Sequence, residues 1–164
     1  MSNHASWLST LFDPKKLDMV SSYLADRINE DKKKLCLRGI AIRGHSGSLM
    51  AGIVSIKTGL PIILVRKPND GTHSSYTVEM SDDMIESAKY CIIDELISSG
   101  KTITIMMNEI HNRHHRMVCK KIYIYDFIHN GRDKKEYGSD WSAFDKVPIL
   151  SFMFKSGEFK TSSI

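Results

Sequence analysis

The chain has 164 residues, 41% hydrophobic and 26% charged, with a net charge of +4 and a pI near 8.9. That length can bury the core of one α/β domain without metals or disulfides, and the mild basic excess suits anionic ligands while falling short of a nucleic-acid signature. No apolar run is long enough to span a bilayer, and the first residues lack the charged start and apolar core of a signal peptide, so a cytoplasmic protein is expected.

Asp13-Pro14 predicts a helix start, an acid at the N-cap before proline at the first helical position. Leu17, Val20, Leu24 and Ile28 then recur at helical spacing, giving an amphipathic helix over 13–32. Lys32, Lys33 and Lys34 read as a solvated helix-to-strand junction. Residues 35–42 predict a strand, and Gly44-His45-Ser46-Gly47 a tight loop. Leu49, Ile53 and Ile56 mark the face of a second helix that Gly59 stops. The continuously apolar run 61–65 predicts a strand buried on both faces.

The polar stretch 68–81 reads as a loop with a short hairpin around 76–80, and 84–88 as a helical turn. Residues 90–93 predict another buried strand, followed by a loop over 94–101 and a helix whose face is Ile103, Met106, Met107 and Ile110. A strand over 120–127, a charged loop over 130–137 and a last strand over 147–154 complete the chain. Cys36, Cys91 and Cys119 all lie in apolar runs with no CxxC pair, and are expected to be buried, reduced thiols. Strands alternating with helices imply a mostly parallel sheet, whose ligands gather at the strand carboxyl ends.

The chemistry concentrates in CIIDELISSGKT, residues 91–102. Asp94 and Glu95 end an apolar strand, and Ser98, Ser99, Gly100, Lys101 and Thr102 lead into a helix. Amide groups at a helix start, with Ser and Thr hydroxyls, can cradle a phosphate, and Gly100 lets the backbone come close. Carboxylates one turn away can accept hydrogen bonds from ribose hydroxyls or hold magnesium through its waters. The nucleoside-triphosphate loop pattern GxxxxGK[ST] would need glycine at 95, where Glu95 stands.

An apolar strand, two acids, two apolar residues and a small-residue loop ending in Ser or Thr resemble the signature of type I phosphoribosyltransferases. The second acid is most often aspartate in that family, and here it is Glu95. IAIRGHSG at 40–47 is similar to the family's pyrophosphate loop, and GLPIILVRKP at 59–68 to the strand that follows it. The loops GHSG and THSS resemble those of small phosphoribosyltransferase-like proteins of bacteria and phages. The resemblance implies an α/β, single-domain type I phosphoribosyltransferase fold over 1–164, a mostly parallel central sheet flanked by helices with a small hood. Its core would cover about 35–128, with the helix 13–32 and the segment 129–164 as accessory parts, the latter a hood over the base.

The resemblance also implies roles. Asp94 and Glu95 would hold the ribose and, directly or through water, magnesium, while Ser98, Ser99, Gly100, Lys101 and Thr102 would hold the 5′-phosphate of phosphoribosyl pyrophosphate. Arg43, Gly44, His45 and Ser46 would lie beside the pyrophosphate, in a loop that in the family often carries a strained or cis peptide. Arg66 and Lys67 would meet the charge on departing pyrophosphate, with Lys67 catalytic beside Asp94 and Glu95. His73 and Ser74 would belong to a mobile loop that closes over the reacting centre. The implied reaction is magnesium-dependent transfer of the phosphoribosyl group to a nitrogen of a nucleobase, with a homodimer as the assembly. The alternative is a non-catalytic phosphoribosyl pyrophosphate- or nucleotide-binding effector with a protein or nucleic-acid partner, as in retron-type bacterial defence or phage systems; neither involves a membrane. His111, His114 and His115, at i, i+3 and i+4, read as a solvated helix end, and Trp141 and Phe144 as packing residues of the C-terminal region.

Overall fold

In the computed structural model, residues 9–67, 76–97, 99–128, 146–155 and 158–163 are described. After a short 3-10 turn, Ser9–Phe12, helix α1 runs over Pro14–Lys34. Asp13 caps it as its sequence demands, its Oδ1 accepting the Lys16 amide at 2.9 Å, one of the donors a helix start leaves without an internal partner. Val20, Leu24 and Ile28 are buried, and the last turn carries Lys32, Lys33 and Lys34 against the negative end of the helix dipole.

Strand β1 (Leu37–Ile42) leads through Arg43 into helix α2 (Gly44–Thr58) and strand β2 (Ile62–Val65). A two-residue strand β3 (Val78–Glu79) returns antiparallel to β2, then β4 (Lys89–Ile97) leads into helix α3 (Lys101–Arg113) and β5 (Val118–Ile128). Strands β6 (Ile149–Lys155) and β7 (Glu158–Ser163) follow. The seven strands lie in the order β3-β2-β1-β4-β5-β6-β7. Pairs β1–β2, β1–β4, β4–β5 and β5–β6 are parallel, and the two edge strands are antiparallel. One apolar cluster joins α1 and α2 to the sheet through Leu24, Ile28, Ile40, Met50, Val54 and Ile93, and another joins α3 to it through Ile92, Ile103, Met106 and Ile110.

Several expectations are corrected. Gly44 to Gly47 form the first turn of α2 rather than a tight loop. The buried stripe of α2 is Met50, Ala51 and Val54, whereas Leu49 and Ile53 are half-buried and Ile56 is 86% exposed. Apolar residues surround this helix on every side, so spacing alone does not choose the inward face. Small residues choose it: a Cβ on Gly47 would stand 3.0 Å from Ile42 Cβ, so only glycine admits so close an approach to β1.

Residues 84–88 form no helical turn. Two reverse turns stand there, with the Met84 amide bonded to Ser81 O and the Ala88 amide to Ile85 O, both at 3.0 Å. Cys36 is exposed in the turn before β1, at φ 54, while Cys91 and Cys119 are buried. Strand β7 was not expected; its pairing with β6 places Phe159 against Tyr23, the rings stacked at 4.1 Å. Thus the described part of the C-terminal segment extends the sheet, and Trp141, Phe144 and the loop 130–137 lie outside the described residues.

Candidate active site

From β1 the chain passes through α2 to β2 on one side, and from β4 through α3 to β5 on the other. The carboxyl ends of β1 and β4 therefore flank a topological switch point, where open parallel sheets leave a crevice for ligands. Ala41 is level with Ile92, so two residues further along Arg43 comes level with Asp94.

Asp94 belongs to β4 rather than to the expected loop, because the strand runs on to Ile97. It is only 6% exposed. Burial pushes its carboxyl up to about 7, the neighbouring Glu95 charge adds to the rise, and the Glu95 amide and Lys67 oppose it. That amide donates to Asp94 Oδ1 at 2.9 Å. Asp94 shares its side of the strand with Ile92, towards α3, and the register of β4 against β5 then shifts between Asp94 and Leu96, so that Ile97 also packs in the α3 cluster. The Glu95 charge acts directly on the Asp94 carboxyl at the strand end.

On the other side of the crevice, Arg43 is buried and extended, at φ −147, and Gly44 turns sharply into α2 at φ 76. A Cβ on Gly44 would meet Lys67 Cε at 3.0 Å and Nζ at 3.1 Å, so the Lys67 ammonium lies directly over this glycine. Lys67 also acts on the Asp94 charge. The structure thus brings Gly44, Lys67 and Asp94, from three different strand ends, to one place. No peptide bond among the described residues is cis.

Arg66, by contrast, pairs with Glu79 of β3 at 2.7 Å, and its amide donates to Thr77 O at 2.9 Å. His45 is exposed on the first turn of α2, where Ser48 Oγ donates to Gly44 O at 2.9 Å. Past β4, Gly100 is buried at φ 75 and caps α3, with its carbonyl accepting the Thr104 amide at 3.0 Å. The Lys101 amide donates to Ser99 Oγ at 3.3 Å, and Lys101 and Thr102 are exposed on the first helical turn. Ser98, His73 and Ser74 lie outside the described residues, as does the Ser46 side chain. Glu79 was missed by sequence reasoning; its signal is its place on a short strand facing the end of β2, where Arg66 needs a counter-charge.

An adenine phosphoribosyltransferase of Saccharomyces cerevisiae superposes with a TM-score of 0.65 over 87% of this chain and 81% of that one, at 12% identity. The fold is that of the type I phosphoribosyltransferases. In sequence, the chain is 28% identical over 108 residues to a hypoxanthine/guanine phosphoribosyltransferase of Methanobrevibacter ruminantium, covering 60% of this chain and 55% of that relative. It is 31% identical over 108 residues to an adenine phosphoribosyltransferase of Ureaplasma parvum, covering 58% and 60% of the two chains. The chain therefore spans little more than half the length of the curated relatives it matches. No family model matches it. These two relatives and this structural neighbour are all phosphoribosyltransferases.

Proposed function

We propose that the protein is a phosphoribosyltransferase that binds phosphoribosyl pyrophosphate across the carboxyl ends of β1, β2 and β4. The observation that carries this reading is the meeting of Gly44, Lys67 and Asp94 at the strand ends. The 5′-phosphate takes the segment from Ser98 to Thr102, where helix amides and hydroxyls favour an anion. Asp94, with the neighbouring Glu95, accepts the ribose hydroxyls. Arg43, Gly44, His45, Ser46 and Lys67 receive the pyrophosphate, with Arg66 behind them on Glu79 and with His73 and Ser74 from the loop.

The bond between the anomeric carbon and a pyrophosphate oxygen breaks, and its electron pair leaves with pyrophosphate. A bond to a nitrogen of a nucleobase-like acceptor forms, and that nitrogen's proton passes to solvent. Lys67 offsets the charge that develops on the leaving group. Among the described residues no three His, Cys, Asp or Glu side chains gather into a metal-holding cluster. Asp94 and Glu95 would hold a magnesium ion, directly or through its waters, and the ion would supply charge neutralisation to the pyrophosphate.

Pyrophosphate release from phosphoribosyl pyrophosphate, assayed against a panel of purine and pyrimidine bases, tests the reading. Base-dependent release is expected; tight binding without release with any base would sink it. That second outcome belongs to a non-catalytic binder, a reading favoured by Glu95 standing where the type I family most often has aspartate. A homodimer in the cytoplasm is part of the proposal, with the exposed Ile56 of α2 as a candidate contact. Among the described residues no helix is long and apolar enough to cross a membrane.

A further inference from the structure

At the other end of the sheet, a groove of about 740 Å³ opens where α3 ends and where β4, β5 and β6 begin. Its volume falls within the roughly 300–1,000 Å³ typical of small-molecule sites. Met107, Val118 and Val147 form an apolar floor, with Val118 46% exposed. His111, His115, Lys120 and Lys146 stand around it, and no acidic side chain lines it among the described residues. Arg116, between the groove residues His115 and Met117, is exposed in the turn after α3, so the surrounding field is positive as well.

An apolar floor alone would suit a lipid tail or a partner side chain, and a cationic rim alone would suit any anion. Their combination selects a ligand with one flat apolar part and one anionic part. We infer that this groove is a second ligand site that takes a mononucleotide, its base on the apolar floor and its phosphate against Lys120, Lys146 and the two imidazoles. The site is separate from the crevice described above. From Tyr90, which lines the groove, to Asp94 is about 13 Å along β4. From Lys101 to His111 is about 15 Å along α3. One strand and one helix therefore carry a site at each end, and occupancy of the groove bears on the elements that position Asp94 and Gly100. The inference stands whether or not the crevice is catalytic.

The test follows the methionine methyl signals of Met107 and Met117, both groove residues, by NMR, with each assigned through its leucine variant. Adenosine 5′-monophosphate is titrated into the full chain, beside adenosine, inorganic phosphate and a single-stranded oligonucleotide. The nucleotide should move both signals saturably, and the double variant Lys120→Glu with Lys146→Glu should weaken that response about tenfold or more while the other methionine signals keep their positions. Adenosine and phosphate alone should bind more weakly than the nucleotide. No movement at millimolar nucleotide overturns the inference. So does movement caused only by the oligonucleotide, or movement that survives the double variant but disappears in Lys67→Ala, which would locate the binding in the crevice.

Discussion

Replacing Asp94 with asparagine should make the ligand-free protein more stable while disabling its site. The carboxyl is buried, and its value is pushed from the ordinary 3.8 up to about 7. A raised folded-state value means that the folded chain holds this proton more tightly than the unfolded chain does. Stability therefore falls as pH rises from about 4 to about 7, and it stays reduced above that range. At about 1.4 kcal/mol per pH unit, the interval corresponds to about 4 kcal/mol of charge burial at pH 8. Asparagine carries no charge, keeps the shape, and leaves an oxygen for the Glu95 amide that Asp94 Oδ1 now accepts. For a chain of this length each kcal/mol moves the melting temperature by about 2–4 °C, so Asp94→Asn should melt about 10 °C higher at pH 8. Near pH 4 the difference should almost vanish. Differential scanning calorimetry across this range gives the answer. A variant that melts lower at pH 8, or a difference that does not change with pH, would refute the claim that Asp94 carries buried, poorly compensated charge.

Lys67→Ala should change stability by no more than about 0.5 kcal/mol, since the residue is exposed, yet lower the rate of pyrophosphate release about hundredfold. Gly44→Ala should cost about 1–2 kcal/mol for its left-handed backbone and should also displace Lys67, so denaturant melts and pyrophosphate release should fall together. Gly100→Ala meets the same backbone penalty at φ 75, about 1–2 kcal/mol, and calorimetric titration should show weaker binding of phosphoribosyl pyrophosphate.

Asp31→Asn should cost about 2 kcal/mol in urea unfolding, because Asp31 Oδ2 accepts from Lys121 Nζ at 2.5 Å and from the Tyr123 hydroxyl at 2.7 Å. Burial works against the Asp31 charge, but the bonds from Lys121 and Tyr123 outweigh it and hold the carboxyl below its ordinary 3.8. Its contribution is present in full above that value and is lost as pH falls through the folded-state value. Wild type and variant should therefore converge only in acid below about pH 4.

The order of helices and strands was legible because each leaves a local trace. Asp13-Pro14 marks where α1 begins, Gly59 where α2 ends, and the 3.6-residue spacing of Ile103, Met106 and Ile110 the inner face of α3. The candidate site was legible as a set of loops for the same reason. What could not be read was what depends on contact across the sheet. The inner face of α2 is chosen by how closely Gly47 approaches Ile42, and that distance has no periodic signature. Asp94 and Glu95 look like loop residues in sequence, but β4 runs through them to Ile97 with a register shift against β5 that no local pattern announces. Arg66 and Lys67 are adjacent in sequence and indistinguishable in type of charge; only the pairing of β3 with β2 assigns Arg66 to Glu79 while Lys67 reaches Gly44. Strand β7 is polar and mostly exposed, so it offers none of the apolar alternation by which strands are recognised.

The brevity of β3 has a consequence for how the protein breathes. Among the described residues, Val78 and Glu79 pair this strand to the edge of the sheet, helped by the Arg66 amide on Thr77 O, by the Arg66 ion pair and by Arg113, whose guanidinium lies 4.4 Å from the centre of the Tyr76 ring. β4, in the middle of the sheet, is bonded on both sides to β1 and β5. Amide hydrogens at β3 should therefore exchange with solvent through frequent local openings, while those of Ile92 and Ile93 wait for global unfolding. The strand that carries Asp94 would then be the last part of the sheet to open, and the strand that steadies Arg66 the first.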